Sequence, residues 1–186
     1  MFDRLLFGIG ITILQLNGMD NDSLCDFSRR ITQEEDRHVN KNDPTLQSLN
    51  SVVMQESQKI LDGLIANPDI TNVKTNIERI WVNNNFNKDI TIPHAHRDSF
   101  LSAVYYPKST DGKLFFYSPF SDSFLAHVPI KKAKEYHAFN STYFEFEVKT
   151  GWLVLFNSML PHYVPPFSNE ERISIVYDIR ANEVSP

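Results

Sequence analysis

Gly151-Trp-Leu-Val-Leu-Phe-Asn-Ser-Met-Leu-Pro-His162-Tyr-Val-Pro-Pro-Phe-Ser-Asn-Glu-Glu-Arg172-Ile-Ser174-Ile-Val-Tyr-Asp-Ile-Arg180 reads as two strands joined by a polar corner. Trp152 to Phe156 is an unbroken apolar run, the pattern of a strand buried on both faces. Ile173, Ile175 and Tyr177 alternate with Ser174, Val176 and Asp178, as a half-buried strand requires. His162 closes the first strand, and Arg172 opens the second. Upstream, His94-Ala-His96-Arg-Asp98 carries polar side chains at alternate positions, which on an extended segment share one face.

Around this centre the chain divides by pattern. Ile9 to Leu16 predicts an opening strand ended by Asn17-Gly18, and Asn21-Asp22-Ser23 supplies caps for a short helix with Leu24, Phe27 and Ile31 on one side. Gln33 to Pro44 is polar and reads as an exposed loop. Asp43-Pro44 then starts the clearest helix, Thr45 to Ala66, with Leu46, Leu49, Val53, Ile60 and Leu64 at helical spacing and Asn67-Pro68 as its stop. From Ile77 the pattern changes to short strands at Ile80 to Asn83, Ile90 to His96, Leu101 to Tyr106 (ended by Pro107), Lys113 to Tyr117 and Thr142 to Val148. Ser118 to Asn140 shows no regular pattern, and its length is that of a lid or substrate loop. The expected fold is mainly β with helical support, an antiparallel sandwich or jelly roll in a single domain: residues 1–76 give a strand and the helices, residues 77–180 the jelly-roll core.

Composition limits the function classes. A chain of 186 residues with 41% hydrophobic and 22% charged residues has the make-up of one soluble domain. A formal charge of −5 argues against nucleic acid as an obligatory partner, because phosphate binding calls for a basic face. The single Cys25 cannot close a disulfide within the chain. The apolar run near Phe7 to Leu16 is interrupted by Gly8, Gly10 and Gln15 and is far shorter than the ~20 residues a membrane span needs. With neither a basic segment before that run nor a cleavage site after it, the expectation is a cytoplasmic protein.

Two imidazoles at alternate strand positions reach one metal from one side, and a third histidine completes three protein ligands with open positions, the arrangement of a catalytic centre. A set of two histidines and a carboxylate with open positions is the facial triad of non-haem Fe(II) oxygenases. The plainer reading makes His94 and His96 surface strand residues and His162 a turn residue; the strand arginine that follows makes it the weaker one. A buried guanidinium needs a partner, and its planar fork suits a carboxylate. Ser174, facing the same way, offers a further hydrogen bond to the far end of a small diacid whose near end chelates the metal. The alternative for Arg172 is an ion pair with Glu170 or Asp178. Tyr105, Tyr117, Tyr143 and Trp152 read first as core aromatics, and Lys131-Lys132-x-Lys134 as a solvated loop face.

Trp81-Val-Asn83, His94-x-His96, Ser99-x-Leu-Ser-x-Val-Tyr-Tyr106, Gly151-Trp-Leu-Val-Leu-Phe and Pro161-His162 through Arg172-Ile-Ser174-Ile-Val-Tyr resemble, in order and spacing, the strands of the Fe(II)- and 2-oxoglutarate-dependent oxygenases. The phrasing is similar to a subgroup found in bacteria and phages. The resemblance runs from about Trp81 to Arg180 and implies a double-stranded β-helix, Fe(II) and 2-oxoglutarate as cofactors, and O2 as cosubstrate. It implies 2-oxoglutarate on Arg172, with Ser174 and Tyr106 at its distal carboxylate, and hydroxylation of a substrate coupled to decarboxylation of 2-oxoglutarate to succinate. The usual family motif, His-x-Asp, fits His96-Arg97-Asp98; the subgroup motif, His-x-His, fits His94-Ala95-His96. The expected ligands are His94, His96 and His162, with Asp98 as the alternative to His94; Asp98 would otherwise orient a histidine. The succeeding strand belongs to the opposite sheet in this fold, and ending the ligands at His96 leaves more chain for the crossing.

Two other classes remain open on the residues. One is a different three-histidine metalloenzyme, a zinc hydrolase or hydratase or a cofactor-free iron dioxygenase, which has no use for Arg172-x-Ser174. The other is a metal-free jelly-roll binding or structural protein.

Overall fold

Among the described residues, nine antiparallel strands make two facing sheets, and two helices cover the outer face of the larger one. The structure, a computed structural model, describes residues 10–34, 37–64, 72–86, 89–110, 112–118, 142–166 and 171–183. The larger sheet has the order β1-β7-β4-β9-β2, from β1 (Ile11–Gln15), β7 (Trp152–Asn157), β4 (Leu101–Lys108), β9 (Arg172–Glu183) and β2 (Val73–Asn85). The smaller has the order β3-β8-β5-β6, from β3 (Thr91–His94), β8 (His162–Val164), β5 (Lys113–Tyr117) and β6 (Tyr143–Glu147). The chain passes from one sheet to the other at β2/β3, β3/β4, β4/β5, β6/β7, β7/β8 and β8/β9, the double-stranded β-helix of a jelly roll. Among the described residues no helix is long and apolar enough to cross a membrane.

Both helices form where caps and periodicity ask for them. Asp20 caps α1 (Asn21–Ile31), accepting from the Ser23 backbone N–H at 3.1 Å, so the cap lies one residue before the expected trio. Asp43 caps a 3-10 turn, Pro44–Leu46, which delays α2 (Gln47–Leu64) by two residues relative to the predicted start. The helix stop at Asn67-Pro68, the irregular stretch from Pro119 to Asn140 and the lysine tract within it lie outside the described residues.

Alternation along the strands sorts the larger sheet into two cores. Leu101, Ala103 and Tyr105 of β4 and Ile175, Tyr177 and Ile179 of β9 join Leu24, Phe27, Leu49 and Val53 beneath the helices. Val104, Tyr106, Val154, Phe156 and Val176 point the other way and meet Leu114, Phe116 and Leu160 from the smaller sheet's side. Strand β9 is therefore buried on both faces from Arg172 to Ile179, where alternation had predicted only one. Its polar set is interior because the smaller sheet covers it. Tyr117 and Tyr143, read as core, are 38% and 49% exposed on the smaller sheet, whereas Tyr105 is buried and donates to Asn21 Oδ1 at 2.6 Å.

Two irregularities aim the inner face. β2 runs from Val73 rather than Ile80, and a bulge between Ile77 and Arg79 reverses its parity. Ile80 and Val82 then face the helices, and Arg79, Trp81 and Asn83 turn inward opposite Asp178, Val176 and Ser174 of β9. β4 does not stop at Pro107: its pairing with β9 slips between Tyr105 and Lys108, and this slip accommodates a residue with no N–H to donate.

Candidate metal centre

Three histidines converge from the smaller sheet. His94 ends β3 and His162 begins β8, and the two are cross-strand partners with ring centroids 4.4 Å apart. His96 lies just past the end of β3, its backbone N–H donating to the Ser158 carbonyl at 2.8 Å. Its ring sits 5.0 Å from that of His94 and 5.2 Å from that of His162. The strand thus ends two residues earlier than predicted, and the chain turns at Arg97-Asp98, with Ser99 N–H donating to the His96 carbonyl at 3.2 Å. One ring nitrogen from each histidine lies within 4.8 Å of the others, and no carboxylate belongs to this group among the described residues. Asp98 is exposed beyond the turn and lies outside the cluster.

The other ring nitrogens are all engaged. His94 Nδ1 meets the Ile92 carbonyl at 2.8 Å, His162 Nδ1 the Leu160 carbonyl at 3.0 Å, and His96 Nδ1 the Asp178 carboxylate at 2.6 Å. Carbonyls and ionised carboxylates only accept, so each Nδ1 carries the proton and each Nε2 keeps a lone pair. Burial pushes the His162 imidazole down to about 4, so it is neutral at pH 7. Three imidazoles whose Nδ1 atoms are each held by a hydrogen bond, leaving Nε2 for a ligand, fit a divalent transition metal.

Asp178 was read from sequence only as a rival ion-pair partner for Arg172, and it does something else. Its side chain is 1% exposed; Oδ1 accepts from His96 Nδ1, and Oδ2 accepts from Arg79 Nε at 3.0 Å and Nη2 at 2.6 Å. Burial works to raise this carboxyl, but the bonds and charges of His96 and Arg79 outweigh it and hold it below its ordinary value. The orienting role expected of Asp98 is filled here by Asp178. The signal was present in the sequence: Asp178 shares the period of Arg172 and Ser174 on one strand face.

Arg172, Ser174 and Tyr106 gather farther along the inner face. Arg172 is 4% exposed, with its guanidinium carbon 5.0 Å from the centroid of the Tyr106 ring. Ser174 is buried, and Asn83 Nδ2 lies 3.5 Å from its Oγ. Burial raises the Tyr106 phenol against the opposing pull of Arg172, so the hydroxyl stays protonated. Gly112 passes close by: a Cβ there would sit 2.7 Å from Arg172 Cδ and 2.8 Å from Nε. Glu171, next in the chain, turns outward to Arg29, Lys108 and Asn84.

Comparison with known proteins agrees with this geometry. A family model described as "Putative 2OG-Fe(II) oxygenase" matches residues 79–178, more than half of the chain. None of the curated proteins matches in sequence. Among solved structures, a prolyl-4-hydroxylase from Pseudomonas putida is similar at 18% identity and a TM-score of 0.64, over 92% of this chain and 88% of that one. HygX from Streptomyces hygroscopicus, with nickel and 2-oxoglutarate bound, is similar at 12% identity and a TM-score of 0.57, over 92% and 82%. SnoN, a non-haem α-ketoglutarate-dependent epimerase from nogalamycin biosynthesis, is similar at 11% identity and a TM-score of 0.61, over 95% and 79%. At these identities the structural likeness establishes the fold, and the family match carries the rest.

Proposed function

The chain belongs to the 2OG-Fe(II) oxygenase family, and on that premise we propose that it hydroxylates its substrate at a metal held by His94, His96 and His162. The observation that carries the proposal is the closing of three Nδ1 atoms on acceptors while three ring nitrogens face one another within 4.8 Å. When bound, Fe(II) with 2-oxoglutarate and O2 supplies an oxidant able to break a C–H bond, 2-oxoglutarate leaving as succinate and CO2. The residues of this chain provide the binding, the orientation and the dry walls.

Arg172 is assigned to the distal carboxylate of 2-oxoglutarate. A buried guanidinium costs several kcal/mol to desolvate in isolation, on the order of the penalty for any buried ion, and a carboxylate supplies its natural partner. Tyr106, beneath the guanidinium, and Ser174, two residues along the same strand face, each offer a hydroxyl to that carboxylate. Val104, Val154, Phe156 and Val176 line the inter-sheet core and exclude water from it. Asp178 and Arg79 hold His96 in the tautomer that leaves Nε2 available. The charge of a divalent metal would be balanced by the diacid and by Asp178 behind His96. A zinc hydrolase built on the same histidines would leave Arg172 without a role.

The test is release of succinate from 2-oxoglutarate under air with Fe(II), with the product of the prime substrate identified by mass. Fe(II)-dependent succinate formation that His162→Ala abolishes supports the reading. Tight zinc retention with no consumption of 2-oxoglutarate would overturn it.

A further inference from the structure

The proposed metal site opens on its outer side into a cleft of about 540 Å³, a size typical of small-molecule pockets. We infer that this cleft receives the prime substrate, and that the substrate is a small molecule bearing a carboxylate or phosphate and a flat, weakly polar portion. The inference rests on the oxygenase reading and deepens it by assigning the substrate's chemical class.

The first support is charge. The chain carries a formal charge of −5, yet the cleft is walled by Arg37 and Arg79, with Asp178 the sole carboxylate lining it among the described residues. Asp178 already gives one oxygen to His96 and the other to Arg79, so it does not answer Arg37. The described lining residues carry a net positive charge before any metal binds, and an oxyanion is their electrostatic complement.

The second is construction. Arg37 falls in the polar tract that the sequence marks only as loop, but its backbone is laddered onto β2. Val82 N–H donates to the Arg37 carbonyl at 3.3 Å, Val39 N–H donates to the Ile80 carbonyl at 2.9 Å, and His38 forms an isolated bridge with Trp81. This short segment acts as an edge strand of the larger sheet and fixes where the Arg37 side chain starts. A mobile loop would not hold a cation at a set distance from the histidines.

The third is shape. The Trp81 indole stacks on the His96 ring with centroids 5.3 Å apart and planes 27° apart, and meets the His38 ring edge-on at 6.5 Å. It is a flat wall continuous with a proposed metal ligand. A planar group lying against it brings its neighbouring C–H bonds toward the histidines, while Arg37 holds the anionic end away from them. Arg172 and His162 do not line the cleft. Arg37 lines the cleft and Arg172 does not, so the oxyanion subsite is distinct from the one assigned to 2-oxoglutarate.

Calorimetric titration of the full chain, with and without Ni(II) and 2-oxoglutarate, tests this with four probes: phenyl phosphate, benzoate, benzyl alcohol and benzylamine. The expected result is saturable binding of one or both anions and none of the alcohol or the amine; the preferred anion tells phosphate from carboxylate. Arg37→Glu should weaken anion binding at least tenfold, and Arg37→Lys should retain it within a few-fold. Equal binding of benzylamine and the anions, or an Arg37→Glu protein that binds them as the parent does, overturns the inference. Succinate release by the unmodified protein, measured in parallel, separates the two claims. Turnover without anion binding sinks the cleft assignment alone; Arg37-dependent anion binding without turnover leaves it standing and sinks the oxygenase reading.

Discussion

Asp178→Asn is the substitution that most sharply probes how the histidines are held. Asparagine preserves the shape, and its Oδ1 can still accept from His96 Nδ1. What changes is the charge behind the imidazole and the second oxygen, which becomes an NH2 group facing the Arg79 donors. At present three charge-assisted contacts, of 2.6, 3.0 and 2.6 Å, meet on one carboxylate that is 1% exposed. Arg79 is half exposed and can turn to water, so its loss costs little. The loss at His96 is larger, because a histidine ligand backed by a carboxylate is the more basic donor. Removing such a partner typically weakens metal binding 10–100-fold, about 1.4–2.7 kcal/mol. Titration with Co(II), followed by its visible absorption, measures this directly, and the concentration of Fe(II) giving half-maximal succinate release should rise in parallel. Asp98→Asn is the internal control: Asp98 is exposed beyond the turn, and its substitution should leave both quantities unchanged. A normal Co(II) affinity in Asp178→Asn together with a large loss in Asp98→Asn would refute the reasoning and make Asp98 the ligand.

Other substitutions test the remaining parts. Gly112→Ala places a methyl group 2.7 Å from Arg172 Cδ; overpacking of this kind costs ~1–3 kcal/mol of fold stability, and displacement of the guanidinium should raise the KM for 2-oxoglutarate with little change for Fe(II). Arg172→Lys keeps the charge but loses the planar fork, and should likewise raise the KM for 2-oxoglutarate; an unchanged dependence on 2-oxoglutarate would remove Arg172 from that role. Glu171 is pulled down to about 2, first by its hydrogen bonds to Arg29 and against the opposing effect of burial, with Lys108 and Asn84 adding to the pull. A carboxyl whose folded value is depressed stabilises the fold above its ordinary value, near 4.5, and that contribution is lost as pH falls toward 2. The full shift corresponds to ~3 kcal/mol, and the partial exposure of Arg29 and Lys108 brings it to about 1–2 kcal/mol. Urea unfolding at pH 6 and pH 3 should show that much less acid sensitivity in Glu171→Gln than in the parent.

What the sequence disclosed followed from periodicity and caps. Leu49 and Val53 are buried on α2, and Leu24 and Phe27 on α1, where helical spacing puts them; near the end of α2 the buried residue is Leu61, while Leu64 of the expected set is exposed. The apolar run of β7 is buried on both sides, as such a run must be. His94 pairs with His162 across β3 and β8, and Arg172 is buried. Features outside a repeating pattern were illegible. His96 leaves the strand at a turn, so alternation misplaced Asp98. A bulge in β2 moved Arg79 and Trp81 to the inner face, and no local signal marks a bulge. The tract around Arg37 has no hydrophobic period because it is a short edge segment held by backbone bonds. Alternation offers Asp178 to Arg172, its neighbour on the same strand face, and cannot show that a histidine from the other sheet reaches it first.

An anaerobic crystal structure with Fe(II) and 2-oxoglutarate addresses the central claim most directly. The account predicts the metal on Nε2 of His94, His96 and His162, chelated by the keto acid, with the distal carboxylate on Arg172 beside Tyr106 and Ser174. Metal coordinated by Asp98, or a diacid bound anywhere but at Arg172, would contradict it.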